Sequence, residues 1–268
     1  MVFDLQITYI GGPTALLEWG GLRLLTDPTF DPAPETYGSG AHTLRKIAGP
    51  ALDAGAVGSL DAVLLSHDHH PDNLDNAGRA LVTRTSPVFT TTAAATRLGT
   101  GAVGLEPWMT SDLEAPSGRM LRVMATPARH GPAHLDRGPV IGFVLSFMDD
   151  PASAVYISGD TVWYEGVQQV AARVSPGVAV LFLGAARVAS VGDWNLTFTA
   201  AEALEAARAF PSATIVPLHF EDWEHFSEGK ADIVAAFAAV GMTDRLQWLE
   251  RGRPTAIRRE RTSQRARS

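Results

Sequence analysis

Residues 62–75 read Ala62-Val63-Leu64-Leu65-Ser66-His67-Asp68-His69-His70-Pro71-Asp72-Asn73-Leu74-Asp75. The stretch opens as a short apolar run, as a fully buried strand does. It then breaks into three histidines and three aspartates within nine residues. A buried strand fixes the backbone, and side chains emerge where the sheet stops, so this is where sites gather in α/β folds. A merely solvated turn needs no such concentration of imidazole. His67 and His69 alternate in an extended turn and can converge on one ion, since zinc takes neutral imidazole nitrogens at about 2.0–2.1 Å. Asp72 and Asp75 add oxygen ligands or orient the ligands that bind.

Three more positions repeat the arrangement, each just beyond a strand-like run. His130 follows residues 121–125, Asp160 follows 155–158 in a Ser-Gly-Asp-Thr turn, and His219 follows 215–218. Singly, each is as easily a structural histidine or a turn aspartate. In order and together they read as one site. The chain has no cysteine, so a metal must rest on His, Asp or Glu. Those donors suit zinc, manganese or iron. His225 lies between Trp223 and Phe226 and reads either as a pocket wall that contacts substrate or as part of an aromatic core. Arg129, beside His130, reads as an anion contact or a surface ion pair.

Outward from the cluster, the N-terminal third reads as strands. Residues 5–10 end at Gly11-Gly12-Pro13, and 14–19 and 22–26 flank a Gly20-Gly21 turn. Pro28 ends the last of these strands. Residues 29–59 read as a long functional or mobile loop. Short helices are expected at 73–79 and 92–98, and strands at 121–125, 140–147, 154–158, 178–183 and 214–216. Helical spacing links Trp163, Val167, Val170 and Val174. A capping box at Thr199-Ala200-Ala201-Glu202 opens another helix, and Gly241 closes a third behind Ile233, Phe237 and Val240. Strands first, then strands alternating with helices, fit two sheets packed face to face with helices outside.

Four segments carry a family resemblance: residues 7–12 with Leu25-Thr26-Asp27-Pro28, the 66–75 cluster, Ile157-Ser158-Gly159-Asp160-Thr161, and 197–203 leading to Val216-Pro217-Leu218-His219. The chain resembles the metallo-β-lactamase superfamily. Within it, the chain is similar to the L-ascorbate 6-phosphate lactonase-like and N-acyl-phosphatidylethanolamine phospholipase D-like branch. The resemblance implies an α/β fold, the four-layer αββα sandwich. It also implies metal ligands His67, His69 or His70, Asp72, His130, Asp160 and His219, with Asp160 bridging and Asp72 serving catalysis. The family run is His-x-His-x-Asp-His, and two registers fit it here. One counts from His67 to His69 and puts Pro71 at the aspartate. The other counts back from Asp72-Asn73-Leu74-Asp75, with one inserted residue, and selects His70. In both, the final histidine is replaced, by Asp72 or by Asn73.

The expected cofactor is Zn2+, as one or two ions, with Mn2+ or Fe2+ as alternatives. The expected reaction is attack of a metal-bound hydroxide on an ester, lactone, amide or phosphodiester of a small molecule. A non-catalytic metal-binding relative is the alternative. A net charge of -7 argues against nucleic acid as partner and against a nuclease. No apolar run approaches a membrane span, and no signal peptide opens the chain, so a cytoplasmic protein is expected. The hydrolase domain is expected over 1–255. Residues 256–268, with Arg258, Arg259, Arg261, Arg265 and Arg267, read as a basic disordered tail.

Overall fold

A computed structural model of the chain describes residues 4–135 and 137–257. Strands β1 (Gln6–Gly11), β2 (Thr14–Trp19) and β3 (Leu22–Thr26) form an antiparallel meander. Its second turn is Gly20-Gly21, both at positive φ, as a tight hairpin of matching twist requires. A two-stranded hairpin follows, β4 (Glu35–Tyr37) with β5 (Leu44–Lys46). Then come β6 (Ala62–Leu64), α1 (Asn76–Val82), β7 (Val88–Thr91), α2 (Thr92–Leu98) and β8 (Ala102–Leu105). The second half runs β9 (Thr110–Glu114), β10 (Met120–Pro127), β11 (Ile141–Phe147), β12 (Asp150–Ile157), α3 (Glu165–Arg173), β13 (Val178–Phe182), α4 (Ala200–Ala209), β14 (Thr214–Leu218), α5 (Lys230–Ala239) and β15 (Thr255–Ala256).

These strands make two sheets, ordered β15-β1-β2-β3-β6-β7-β8 and β14-β13-β12-β11-β10-β9. Alternation along each strand decides which layer a side chain joins. Leu24, Leu64, Phe89, Val123, Phe143, Val155 and Val180 meet in the core between the sheets. Their neighbours Leu25, Val63, Leu65 and Val88 face outward and pack with Leu81 and Val82 of α1. On the far side Tyr156, Leu181 and Ile215 pack with Val167 of α3, Leu204 of α4 and Phe237 of α5. The result is the αββα sandwich. The capping box forms at Thr199 and Glu202. Behind α5, Gly241 at φ 69 is flanked by Met242 N–H to Phe237 O and Gly241 N–H to Ala238 O, a Schellman stop.

Four expectations need correction. Residues 29–59 are not structureless: they contain β4 and β5, which the pattern hid because three-residue strands carry too little alternation. Strands β7 and β8 also escaped, being only four residues each. So did β9, a polar edge strand of the kind that resists further pairing. Helix α1 starts at Asn76 rather than 73, because the Asp75 carboxylate caps it by accepting the Gly78 N–H at 2.8 Å. Finally, β15 pairs with β1 across the expected boundary at 255, and buried Ile257 donates to Leu5 O. The expected basic tail lies, from Arg258 on, outside the described residues.

Helix α1 sits backbone against backbone on the Asp27-Pro28 turn. A Cβ on Gly78 would lie 1.8 Å from Pro28 O, a clash no rotamer relieves. Gly78→Ala is therefore expected to destabilise by about 3 kcal/mol, the upper end of ordinary overpacking. A urea titration showing less than ~1 kcal/mol would contradict this packing.

Candidate metal centre

Strands β10 and β12 flank β11 and run the same way, and β12, β13 and β14 are parallel. Their C-terminal ends therefore share one edge of the sandwich, where β6 of the other sheet also ends. His67 leaves β6, His130 leaves β10, Asp160 leaves β12 and His219 leaves β14. The Ser-Gly-Asp turn needs its glycine: Gly159 lies at φ 60, and a Cβ there would stand 2.5 Å from Ile141 O. His219 itself adopts φ 56, a conformation uncommon for a side-chain-bearing residue. It is held there by donation of its N–H to Gly12 O at 2.9 Å.

The donor atoms of His67, His130 and Asp160 lie within 4.8 Å of one another, and so do those of Asp72, Asp160 and His219. All of these residues are buried. Asp160 belongs to both groups. Its Oδ2 is 3.8 Å from His130 Nδ1 and its Oδ1 is 3.5 Å from His219 Nε2, so one oxygen faces each group. His219 Nε2 is also 3.6 Å from Asp72 Oδ2. Both Asp160 oxygens and both His219 ring nitrogens are buried with no hydrogen-bond partner. Orphaned polar atoms are costly in a protein interior, and the two Asp160 oxygens with His219 Nε2 facing one of them fit a cation site.

His70 turns inward: its Nδ1 is 2.9 Å from His67 Nε2. His69 also has a ring nitrogen within 4.8 Å of those of His67 and His70. Its Nε2, however, donates to Arg137 O at 2.6 Å and is tied to the rim. The geometry thus matches the register that counts back from Asp72. A directed chain runs through the cluster. Arg137 Nη2 donates to His70 Nε2 at 3.1 Å, and His67 Nδ1 meets Ser66 Oγ at 2.9 Å. Ser66 donates from both its N and Oγ to Asp27 Oδ1 at 2.8 and 2.7 Å. His130 Nδ1 donates to Leu196 O at 2.9 Å, which leaves Nε2 with the lone pair.

Burial, reinforced for His67 by neighbouring imidazoles, holds His67, His70 and His130 below the usual histidine range, His70 at about 3. They are neutral at pH 7, the form a metal requires. Burial alone would raise the two carboxyls. His219 and His225 outweigh it for Asp72, and His219 and His130 outweigh it for Asp160, so both are lowered and ionised. For His219 burial opposes the charge, but Asp160 and Asp72 prevail and raise it to about 10.

A family model described as the beta-lactamase superfamily domain matches residues 22–220, a span that contains His67, His70, Asp72, His130, Asp160 and His219. The chain belongs to the metallo-β-lactamase superfamily. Among superfamily relatives, it is 25% identical over 167 residues to a UPF0173 metal-dependent hydrolase of Thermoplasma acidophilum, covering 61% of this chain and 67% of that one. It is 28% identical over 176 residues to an uncharacterized protein of Mycobacterium bovis, and there it spans 46% of the relative's length. The solved isothiocyanate hydrolase from Delia radicum gut bacteria superposes with a TM-score of 0.80 at 24% identity, covering 95% of this chain and 99% of that one. At that identity the likeness establishes the superfamily fold.

Some contacts at the superfamily site were not legible beforehand. His225 Nε2 lies 3.1 Å from Asp72 Oδ2, a pairing that no spacing rule predicts across a separation of 153 positions. Lys46 reaches Asp75 at 2.9 Å from the hairpin β4–β5. Asp75 is therefore spent on the helix cap and this ion pair and stands apart from the metal groups. Arg129 stacks on Tyr164 at 4.3 Å and faces Glu165 at 3.5 Å, the ion-pair reading of that residue. His134 packs edge-on to Trp194 and takes no part in the cluster. Among the described residues, no helix is long and apolar enough to cross a membrane.

Proposed function

We propose that this chain hydrolyses a small-molecule ester, lactone, amide or phosphodiester at a centre of one or two divalent metal ions, zinc foremost. It is a metal-dependent hydrolase of the superfamily. His67, His70, His130 and Asp160 would hold one ion; Asp72, Asp160 and His219 would hold a second, with Asp160 bridging. The observation that carries this reading is the buried Asp160 carboxylate, partnerless, with one oxygen toward each group of donors. When bound, the ions supply Lewis-acid polarisation of the electrophile and lower the pKa of water toward about 7.

The chain's own residues do the rest. Asp72, kept ionised by His219 and His225, orients the attacking water and accepts its proton at Oδ2. Ser66 and Asp27 fix the ring of His67, so its Nε2 lone pair points into the site. The ordered motifs at 25–28, 66–75, 157–161 and 216–219 further support a place beside the lactonase-like and phospholipase D-like members. Elemental analysis of purified protein beside an ester and phosphodiester panel tests the reading. Wild type is expected to carry zinc and turn over a panel member, and His130→Ala to lose both. A metal-free wild type, or His130→Ala with full metal and activity, would refute it.

A further inference from the structure

Arg137 stands beside the centre with a charge that no carboxylate among the described residues pairs with. Its guanidinium is half-buried. Its Nε has no hydrogen-bond partner, and Nη2 meets only the neutral ring of His70 at 3.1 Å. Asp72 attracts the guanidinium from a distance without forming an ion pair, and removing a cation from water without an ion-pair partner is unfavourable. The neighbouring arginines are occupied. Arg97 grips Asp68 in a fork, Arg79 donates to Asp68 O at 2.8 Å, and Arg129 has Glu165 and Tyr164.

The backbone at Arg137 is pinned against the histidine turn. Arg137 O accepts the His69 ring N–H at 2.6 Å. The next residue, Gly138, lies at φ 84, where a Cβ would come within 2.8 Å of the His69 ring. Arg137 also lines two cavities at once. One, of about 280 Å³, includes Tyr37, His42, His70 and Ser190. The other, of about 410 Å³, includes Arg129, His130 and His134. Both are of a size for a small substrate, and each reaches a proposed metal-binding histidine.

We propose that Arg137 recognises an anionic oxygen group of the substrate, a carboxylate or a phosphate, and seats it beside His70 while the scissile bond faces the centre. The planar donor fork of arginine matches such groups. The inference rests on the metal reading above, and His70 links the two. Here His70 Nε2 accepts from Arg137, so Nδ1 carries the ring proton. A cation held by Nδ1 requires the hydrogen on Nε2 instead, and that nitrogen then no longer accepts. A metal held there would thus free Arg137 Nη2 from His70 and leave it open to the anion.

The test uses zinc-loaded wild type, Arg137→Met and Arg137→Lys, each assayed for bound zinc and titrated calorimetrically with inorganic phosphate and with acetate. Wild type is expected to bind one of the two anions. Arg137→Met should bind it about tenfold more weakly or worse, as loss of a charge-assisted hydrogen bond implies. Arg137→Lys should fall between them, and zinc content should be equal in all three. The tighter anion identifies the group. Equal affinity in wild type and Arg137→Met, or no anion bound by wild type, overturns the assignment. Failure of wild type to take up zinc overturns the metal reading instead; weaker anion binding by metal-free Arg137→Met than by metal-free wild type then still supports the role of Arg137, and equal binding overturns it.

Discussion

Asp160→Asn is expected to abolish stable metal loading and to lower turnover by more than about a hundredfold, the scale on which even a group that only orients a ligand counts. The substitution keeps the side chain's volume and removes its charge. It leaves His130 and His219 facing a neutral amide where each now faces a carboxylate oxygen at 3.8 and 3.5 Å. A site that must neutralise a divalent cation then has Asp72 as its one remaining buried carboxylate among the donors in the two groups. Elemental analysis and kinetics on the same preparation check this. Metal at wild-type stoichiometry in Asp160→Asn would remove Asp160 from the centre.

The second large effect is on stability, in the loop that looked structureless. Lys46 Nζ lies 2.9 Å from Asp75 Oδ2, with side chains only 2% and 0% exposed. Removing one partner leaves the other charge buried and alone, which costs about 3–5 kcal/mol. Lys46→Met is therefore expected to lower the unfolding free energy by that amount in urea, at an unchanged m-value. Asp75 would still accept Asp31 N–H at 2.7 Å and Gly78 N–H at 2.8 Å, so the cap on α1 survives in part. The double variant Lys46→Met/Asp75→Asn should cost less than the two single changes summed, since they break the same pair. Additive effects would mean that the ion pair contributes nothing of its own.

The links between these sites follow from one short segment. Asp75 ends the turn that begins at His67, and only Asn73 and Leu74 separate it from Asp72. The ion pair that fastens β5 to α1 therefore also fixes the far end of the metal-ligand turn. Gly78, one helical turn on, presses α1 against the Asp27-Pro28 turn. Asp27 in turn grips Ser66 at the near end through two hydrogen bonds. Packing around residues 66–78 and the position of the donor atoms are thus one problem of geometry.

What the sequence by itself determined is local. The apolar run 62–65 set a buried strand, the glycine and proline turns set the strand ends, and the capping box set α4. The absence of cysteine confined the metal to imidazole and carboxylate. These are readable because each depends on near neighbours in the chain. Tertiary structure alone decided which of His69 and His70 turns inward, that Asp75 serves Lys46 rather than an ion, and that His225 reaches Asp72. Among the described residues, it alone also left Arg137 without an ion-pair partner. Those outcomes depend on side chains tens to hundreds of positions apart meeting across two sheets, and no spacing along the chain encodes such distances.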